Sequence, residues 1–202
     1  MNIQKLTENY IKNRPFIQIA LGHDLINYSK LARIIGNELD ISQFDAILIA
    51  CRRYKEKLKP KKSLGIIELL KKSNMTINTN ISTIIVEKNQ CIDYLTELQK
   101  QNDTRIIKGE SAVTIITNKD KLKEVEKRFK YSILKKTENL VEIIIRSSQK
   151  LEKIPGVTGY LYSLFGENDI NIIETMSTWT DTIIIIENKD LSKVLEIMDF
   201  NT

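Results

Sequence analysis

Ile115-Ile116-Thr117-Asn118-Lys119-Asp120 matches Ile185-Ile186-Glu187-Asn188-Lys189-Asp190 at five of six positions, and each stretch lies where a β-branched run gives way to a helical pattern. One strand-to-helix junction written twice predicts an internal duplication. Asp120 and Asp190 are then expected as helix N-caps. Upstream of the first match, apolar periodicity predicts a strand at 81–86, a helix over 90–101 carrying Ile92, Leu95 and Leu98, and strands at 105–108 and 112–117. A helix with Leu122, Val125 and Phe129 follows, and 131–136 supplies a closing strand. The second copy repeats the order: a strand at 140–146, a helix with Val157, Leu161, Leu164 and Phe165, strands at 171–176 and 182–187, and a helix with Leu191, Val194, Leu195 and Met198.

Each copy is β-α-β-β-α, the split βαβ or ferredoxin-like plan, with helices on one face of an antiparallel sheet. The second copy has no final strand of its own. Its sheet stays three-stranded or borrows an edge from a neighbour, because exposed edges are normally covered.

Residues 1–73 read as helices instead. Ile3, Leu6, Tyr10 and Ile11 share one face up to Pro15, and a short apolar helix over 16–21 closes at Gly22. Leu31, Ile34, Ile35 and Leu39 recur on one face. Ser42 with Asp45 forms a capping box for a helix that keeps Phe44, Ile47, Leu48, Cys51, Tyr54 and Leu58 together as far as Pro60. A helix over 64–72 follows a basic linker, and the polar run 73–80 is expected to be the domain boundary. The expected fold class is α+β: a helical domain at 1–75 and two ferredoxin-like copies at 78–137 and 138–202.

Composition narrows the function. Of the chain's 31 Lys+Arg and 26 Asp+Glu, residues 1–75 hold 14 and 7, a charge of +7, which leaves −2 for the remainder. No apolar run approaches the roughly 20 residues that span a bilayer, and the N-terminus lacks a secretory pattern, so a cytoplasmic protein is expected. Cys51 and Cys91 lie far apart without metal-ligand spacing, which favours buried thiols over a disulfide or zinc. There are 34 Ile against 5 Ala, a bias that inflates strand propensity, so periodicity is weighted above propensity. No cofactor motif occurs, and the sole histidine, His23, falls in an inter-helix turn; no catalytic residue and no metal ligand is expected. The Ile- and Val-rich strands lack the aromatics that RNA stacking would need.

The segment with most chemical content is Ile154-Pro155-Gly156-Val157, at a helix start, with Asn171 at the next strand. Gly156 admits close backbone approach, free N–H groups at a helix N-terminus attract a carboxylate, and Asn171 offers the donor and acceptor an α-amino acid would match. Spacing alone favours a plainer reading, a helix start and a turn cap. Trp179, in the turn at 177–180, could cover a ligand or partner, but packing of its hairpin onto the adjacent copy is the default expectation.

Residues 140–198, with Pro155-Gly156-Val157, the apolar helix, Asp169-Ile170-Asn171-Ile172 and the later Ile-rich strand, resemble an ACT domain, the small-molecule sensing module of aspartokinases and phosphoglycerate dehydrogenases. The resemblance implies a free amino acid as effector, held at an interface between paired copies, with Ser147, Ser148, Gly156, Val157 and Asn171 as ligand-binding residues and a homodimer formed through the ACT copies. The first copy has the short Glu87-Lys88-Asn89-Gln90 in place of the Pro-Gly loop. It resembles ACT in topology only and is expected to pack rather than bind.

Residues 28–58 resemble a helix-turn-helix, with Leu31-Ala32, Ile35 and Gly36 as apolar pair, anchor and turn glycine, and two extra residues before Phe44 and Ile47. Together with Tyr28-Ser29-Lys30-Leu31-Ala32-Arg33 and Cys51-Arg52-Arg53-Tyr54, the whole chain resembles archaeal regulators of amino-acid metabolism. That likeness carries an architecture and a regulatory role but no reaction. Seven basic residues between Arg52 and Lys62 could meet phosphates. Candidate DNA contacts are Ser42, Gln43, Arg52, Arg53, Lys55 and Lys57. The basic residues lie late in their helix, whereas base edges are met by N-terminal residues, so solvation of the helix end and linker competes with DNA binding, and Ile49 hints at a second buried side. The alternative is a protein-binding regulatory subunit whose helices dock on an enzyme or dimerise.

Overall fold

A computed structural model describes residues 2–58, 64–88, 92–99 and 104–200. The chain forms two compact bodies, Met1–Ser63 and Leu64–Thr202. Cys91 and the helix ends predicted at residues 90, 91, 100 and 101 lie outside the described residues.

The first body contains α1 (Ile3–Lys12), α2 (Pro15–Gly22), α3 (Tyr28–Leu39) and α4 (Phe44–Lys57). Tyr10, Ile11, Ile17, Leu21, Leu31, Ala32, Ile35, Ile41, Ile47, Cys51 and Tyr54 form its core. Asn2 and Asn27 cap α1 and α3 through side-chain hydrogen bonds to the backbone N–H groups of Lys5 and Lys30. The capping box expected at Ser42 does not form. Helix α4 starts at Phe44, its cap Gln43 makes no side-chain bond, and the Ser42 carbonyl accepts from the Phe44 N–H instead. Ile34 and Leu39, expected on one face with Leu31 and Ile35, are exposed; Ala32 is buried beside Leu31 and Ile35 instead. Gly36 lies inside α3 rather than in the turn. A Cβ there would stand 2.9 Å from the Ile41 carbonyl oxygen, so the chain reversal after α3 depends on its absence.

The second body opens with α5 (Leu64–Lys71), followed by β1 (Asn74–Glu87), α6 (Ile92–Gln99), β2 (Arg105–Lys108), β3 (Ala112–Asn118), α7 (Lys119–Phe129) and β4 (Ile133–Arg146). A 3-10 turn at Gln149–Lys153 leads to α8 (Val157–Gly166), β5 (Ile172–Ser177), β6 (Asp181–Glu187) and α9 (Leu191–Ile197). The strands make one antiparallel sheet in the order β2-β3-β1-β4-β6-β5.

Two long central strands explain what the sequence left open. The expected closing strand at 131–136 and first strand at 140–146 are one strand, β4, bent at Asn139. The polar run expected as a linker is the first half of β1. Asn74–Asn78 pair with Arg146–Glu142, which supplies the fourth strand the second copy lacks. These residues read as a linker because the segment lies at the margin of its half-sheet, with one side in solvent and polar side chains along it. The boundary moves accordingly. Helix α5, expected in the helical domain, buries Leu69 and Leu70 in the sheet's core with Val141, Ile143, Ile145, Val157, Leu161 and Phe165.

Asn80 and Asn139 each take a left-handed conformation in mid-strand, and the register shifts around Asn80 mark a bulge. There the sheet folds over on itself. Ile107 of β2 and Met176 of β5, at opposite edges of the strand order, pack in one cluster with Ile81, Ile116, Leu140, Ile183 and Ile185. Helices α6 and α7 cover the outer face of one half, and α8 and α9 that of the other.

The matched hexapeptides lie one residue out of structural register. Ile81 faces Asn118, whereas Leu140, its counterpart after the second bend, faces Glu187. Ile115 therefore packs under the helices while Ile185 lies between the half-sheets, as a one-residue slip requires in a period of two. The expected caps shift with it. Asp120 is the second residue of α7, whose cap is Asn118, and Asp190 stands at the cap of α9 without a side-chain bond. Leu195, expected in the core, is exposed.

Candidate ligand site

Downstream of β4 the chain makes a short excursion before entering α8. Ser148 accepts the Leu151 N–H on its carbonyl, the 3-10 turn carries Leu151 and Glu152 outward, and Ile154-Pro155 bring the chain back to Gly156. Gly156 has φ +94°, in the left-handed region, and caps α8 with no side-chain acceptor. Its nearest potential Cβ neighbour is Ile66 Cδ1 of α5, at 3.8 Å, so the demand for glycine comes from the backbone and not from crowding.

Opposite this helix start stands the β5–β6 hairpin. The Thr178 N–H donates to the Asp181 carbonyl, which holds the turn, and the Ser147 N–H donates to the Thr180 carbonyl, which ties the hairpin to the loop after β4. Between loop and hairpin lies a cavity of about 550 Å³. Gly156, Val157, Thr158 and Gly159 line it from the first turn of α8, together with Leu151, Glu152, Ile154, Ser177, Thr178 and Trp179. A helix start without a capping side chain presents backbone N–H groups and the positive end of the helix dipole, which suits a carboxylate. The indole of Trp179 is 59% exposed. It does not pack its hairpin as expected but stands at the cavity rim, where it can cover an occupant.

The five ligand residues implied by the ACT resemblance separate here. Gly156 and Val157 line the cavity, Val157 with its side chain buried in the core beneath. Ser147 does not line it. It is buried, and its hydroxyl bonds that of Ser73 at 2.8 Å while the Ser73 hydroxyl donates to the Leu69 carbonyl. Ser148 and Asn171 are exposed and lie outside the lining. Thr158, Ser177 and Thr178 were not assigned from the sequence, and Trp179, the single Trp in a polar turn, entered only as a residue that could cover a ligand.

In the helical body, Ser42, Gln43, Arg52 and Arg53 are exposed. Lys55 pairs with Asp24 and Lys57 with Glu8, each at 2.8 Å. The hydrogen bond from Lys55 holds the Asp24 carboxyl below its ordinary range. Arg52 and Arg53 make no ion pair among the described residues. Ile49 is exposed as well. Cys51 is buried, and burial pushes its thiol up to about 11. No three His, Cys, Asp or Glu side chains among the described residues could hold a metal, and no helix there is long and apolar enough to cross a membrane.

No protein-family profile matches the chain, and no curated protein matches it in sequence. Solved structures do match. The aspartate kinase of Clostridium acetobutylicum superposes with a TM-score of 0.53 at 16% identity, covering 63% of this chain and 34% of that one. The ligand-free regulatory subunit of aspartate kinase from Thermus thermophilus gives 0.51 at 14%, covering 63% and 94%. A structure of aspartokinase alpha and beta subunits gives 0.53 at 13%, covering 67% and 98%.

The fold of the matched part, about two-thirds of this chain, is similar to that of an aspartate kinase regulatory domain. At such identities the likeness is one of fold, and the chain spans about a third of the Clostridium enzyme's length. The regulatory-domain fold is the α+β, antiparallel arrangement that the ACT resemblance implied.

Proposed function

We propose that the chain is a non-catalytic, amino-acid-responsive regulator, in which the body Leu64–Thr202 holds paired ACT copies and the body that contains α1 to α4 is the effector. The observation that carries the reading is the cavity at the start of α8, with its left-handed Gly156, uncapped first turn and Trp179 rim. A free amino acid fits this chemistry: carboxylate at the α8 N–H groups, side chain toward Leu151, Ile154 and Trp179. Ile66 of α5 lies beside Gly156, and Leu69 and Leu70 share the core under α8. A ligand that favours one placement of α8 therefore biases α5, the element through which the chain enters from the helical body. A homodimer formed through the ACT copies belongs to this reading.

The test is a thermal-shift and calorimetric screen of the free amino acids against the full chain. Stabilisation by at least one of them, weakened in Trp179→Ala, supports the reading; no response to any of them removes it.

For the effector, exposed Arg52 and Arg53, which make no ion pair among the described residues, support contact with the phosphates of DNA, with Ser42 and Gln43 at the start of α4. Lys55 and Lys57 would first have to leave Asp24 and Glu8. The second reading, docking on a protein, draws support from the exposed Phe16, Ile19 and Leu25 on and after α2. Band shifts at two salt concentrations separate them, because phosphate contacts weaken steeply with salt.

A further inference from the structure

A second cavity, of about 700 Å³, opens where β1 bends at Asn80. Its walls include Asn78, Asn80, Arg105, Lys119, Asp120 and Glu142. Glu142 is only 5% exposed. It accepts from Arg105 Nε at 2.5 Å, from Arg105 Nη2 at 3.4 Å and from Asn78 Nδ2 at 2.8 Å. Burying a carboxylate is expensive, and attraction to a guanidinium that stays a third exposed, as that of Arg105 does, often fails to offset it. A buried Glu142 therefore calls for a reason.

The duplication supplies an internal control. Thr83 and Arg105 both face Ile116 across β3, while Glu142 and Glu174 both face Ile185 across β6. By register, Thr83 is the counterpart of Glu142 and Glu174 that of Arg105. The sister junction thus holds a threonine and a glutamate, and its Glu174 accepts from the Thr114 hydroxyl at 3.3 Å. The same fold-over is built there without an ion pair. The architecture does not require Arg105–Glu142, and what distinguishes its side of the molecule is the cavity it lines.

The charges around that cavity balance. Arg105 and Glu142 neutralise each other, and Lys119 and Asp120, both exposed at the start of α7, do the same. The lining thus carries both signs without a net charge. The guanidinium keeps donors beyond the two given to Glu142, and Lys119 stands with the first turn of α7, whose cap makes no side-chain bond. Asp120 and the amides of Asn78, Asn80 and Asn118 supply acceptors. A net anion would gain little from a neutral set, whereas a small molecule carrying both charges would meet a partner for each.

We propose that this cavity is a second effector site, taking a small zwitterion of the α-amino-acid type with its carboxylate at Arg105 and Lys119 and its ammonium at Asp120 and the neighbouring amide oxygens. The inference stands on the second cavity and its sister junction, not on the cavity at α8. Because the site lies where the two half-sheets meet, occupancy would favour one angle of fold-over.

The test is calorimetric titration of the full chain with the free amino acids, comparing wild type with Lys119→Ala, with the double variant Arg105→Glu, Glu142→Thr, and with Trp179→Ala. The double variant installs the sister junction's chemistry and is expected to fold; should its melt show otherwise, Asp120→Ala with Lys119→Ala decides. The expected result is an amino acid whose affinity falls at least tenfold in the Lys119 and double variants and stays within twofold in Trp179→Ala. Affinity unchanged in those variants, or lost in Trp179→Ala alone, overturns this site and leaves the α8 cavity standing. No binding by any amino acid overturns both.

Discussion

Asn80 and Asn139 occupy the same position in the two long strands, the seventh residue of fourteen, with φ of 58° and 57°. The burial that follows each bend is the same over the next seven residues. The two asparagines are the corners at which the sheet turns over, and the backbone takes the same conformation at both.

Asparagine tolerates the left-handed region and β-branched residues do not. Asn80→Val and Asn139→Val should each destabilise the chain by about 1–2 kcal/mol, while Asn80→Gly and Asn139→Gly stay within about 0.5 kcal/mol of wild type. Urea melts of the four variants check this; equal losses for valine and glycine would show that the corners are not conformationally determined.

Gly156→Ala meets only an ordinary contact with Ile66 but an unfavourable φ, so a loss of about 1 kcal/mol is expected from strain alone. Trp179→Ala, at an exposed rim, should change stability by less than about 0.5 kcal/mol. The two variants separate fold from binding: both should reduce an amino-acid-induced thermal shift, and only the first should lower the melting temperature of the free chain.

The Ser73–Ser147 hydroxyl contact joins the end of α5 to the loop after β4. A double-mutant cycle of Ser73→Ala and Ser147→Ala should return a coupling of about 0.5–1.5 kcal/mol. A coupling near zero would mean that α5 is held only by Leu69 and Leu70.

Cys51 gives a pH dependence of definite sign. Burial holds its thiol at about 11 in the folded chain against 9.0 ordinarily, so the unfolded chain releases the proton first. The thiol's contribution is intact below pH 9 and is lost as pH rises from 9 to 11, by roughly 2–3 kcal/mol in total. Cys51→Ala should lack that component of the alkaline decline in urea melts, and the native thiol should resist thiol reagents at pH 8 until the chain is unfolded.

Much of the fold was legible because apolar periods of 3.6 and 2 fall where the helices and strands form. Leu122, Val125 and Phe129 are the buried face of α7, and Val157, Leu161 and Phe165 that of α8, as their spacing predicted. Which way a strand residue faces was harder. The identity of 115–120 with 185–190 suggested equivalence residue by residue, but identity is blind to the one-residue offset that pairing imposes. Asn74–Asn78 were misread because a marginal strand and a linker share composition. Within the candidate site, Gly156 was legible from its backbone demand, whereas Trp179 needed the hairpin's position. Asn171 and Ser147 suited an amino acid by chemistry and were placed elsewhere by geometry.

The two long strands also govern how the molecule is made. On the ribosome, the first half of β1 emerges early, yet its partner is the last stretch of β4, so Asn74–Asn78 must wait until the chain has been synthesised through Arg146. Closure of so long a loop slows assembly and leaves an unpaired edge in the interim. The halves of the sheet cannot mature one after the other as independent modules: the edge strand that pairs with the end of β4 is translated first, and the body beginning at Leu64 completes its fold only as a whole.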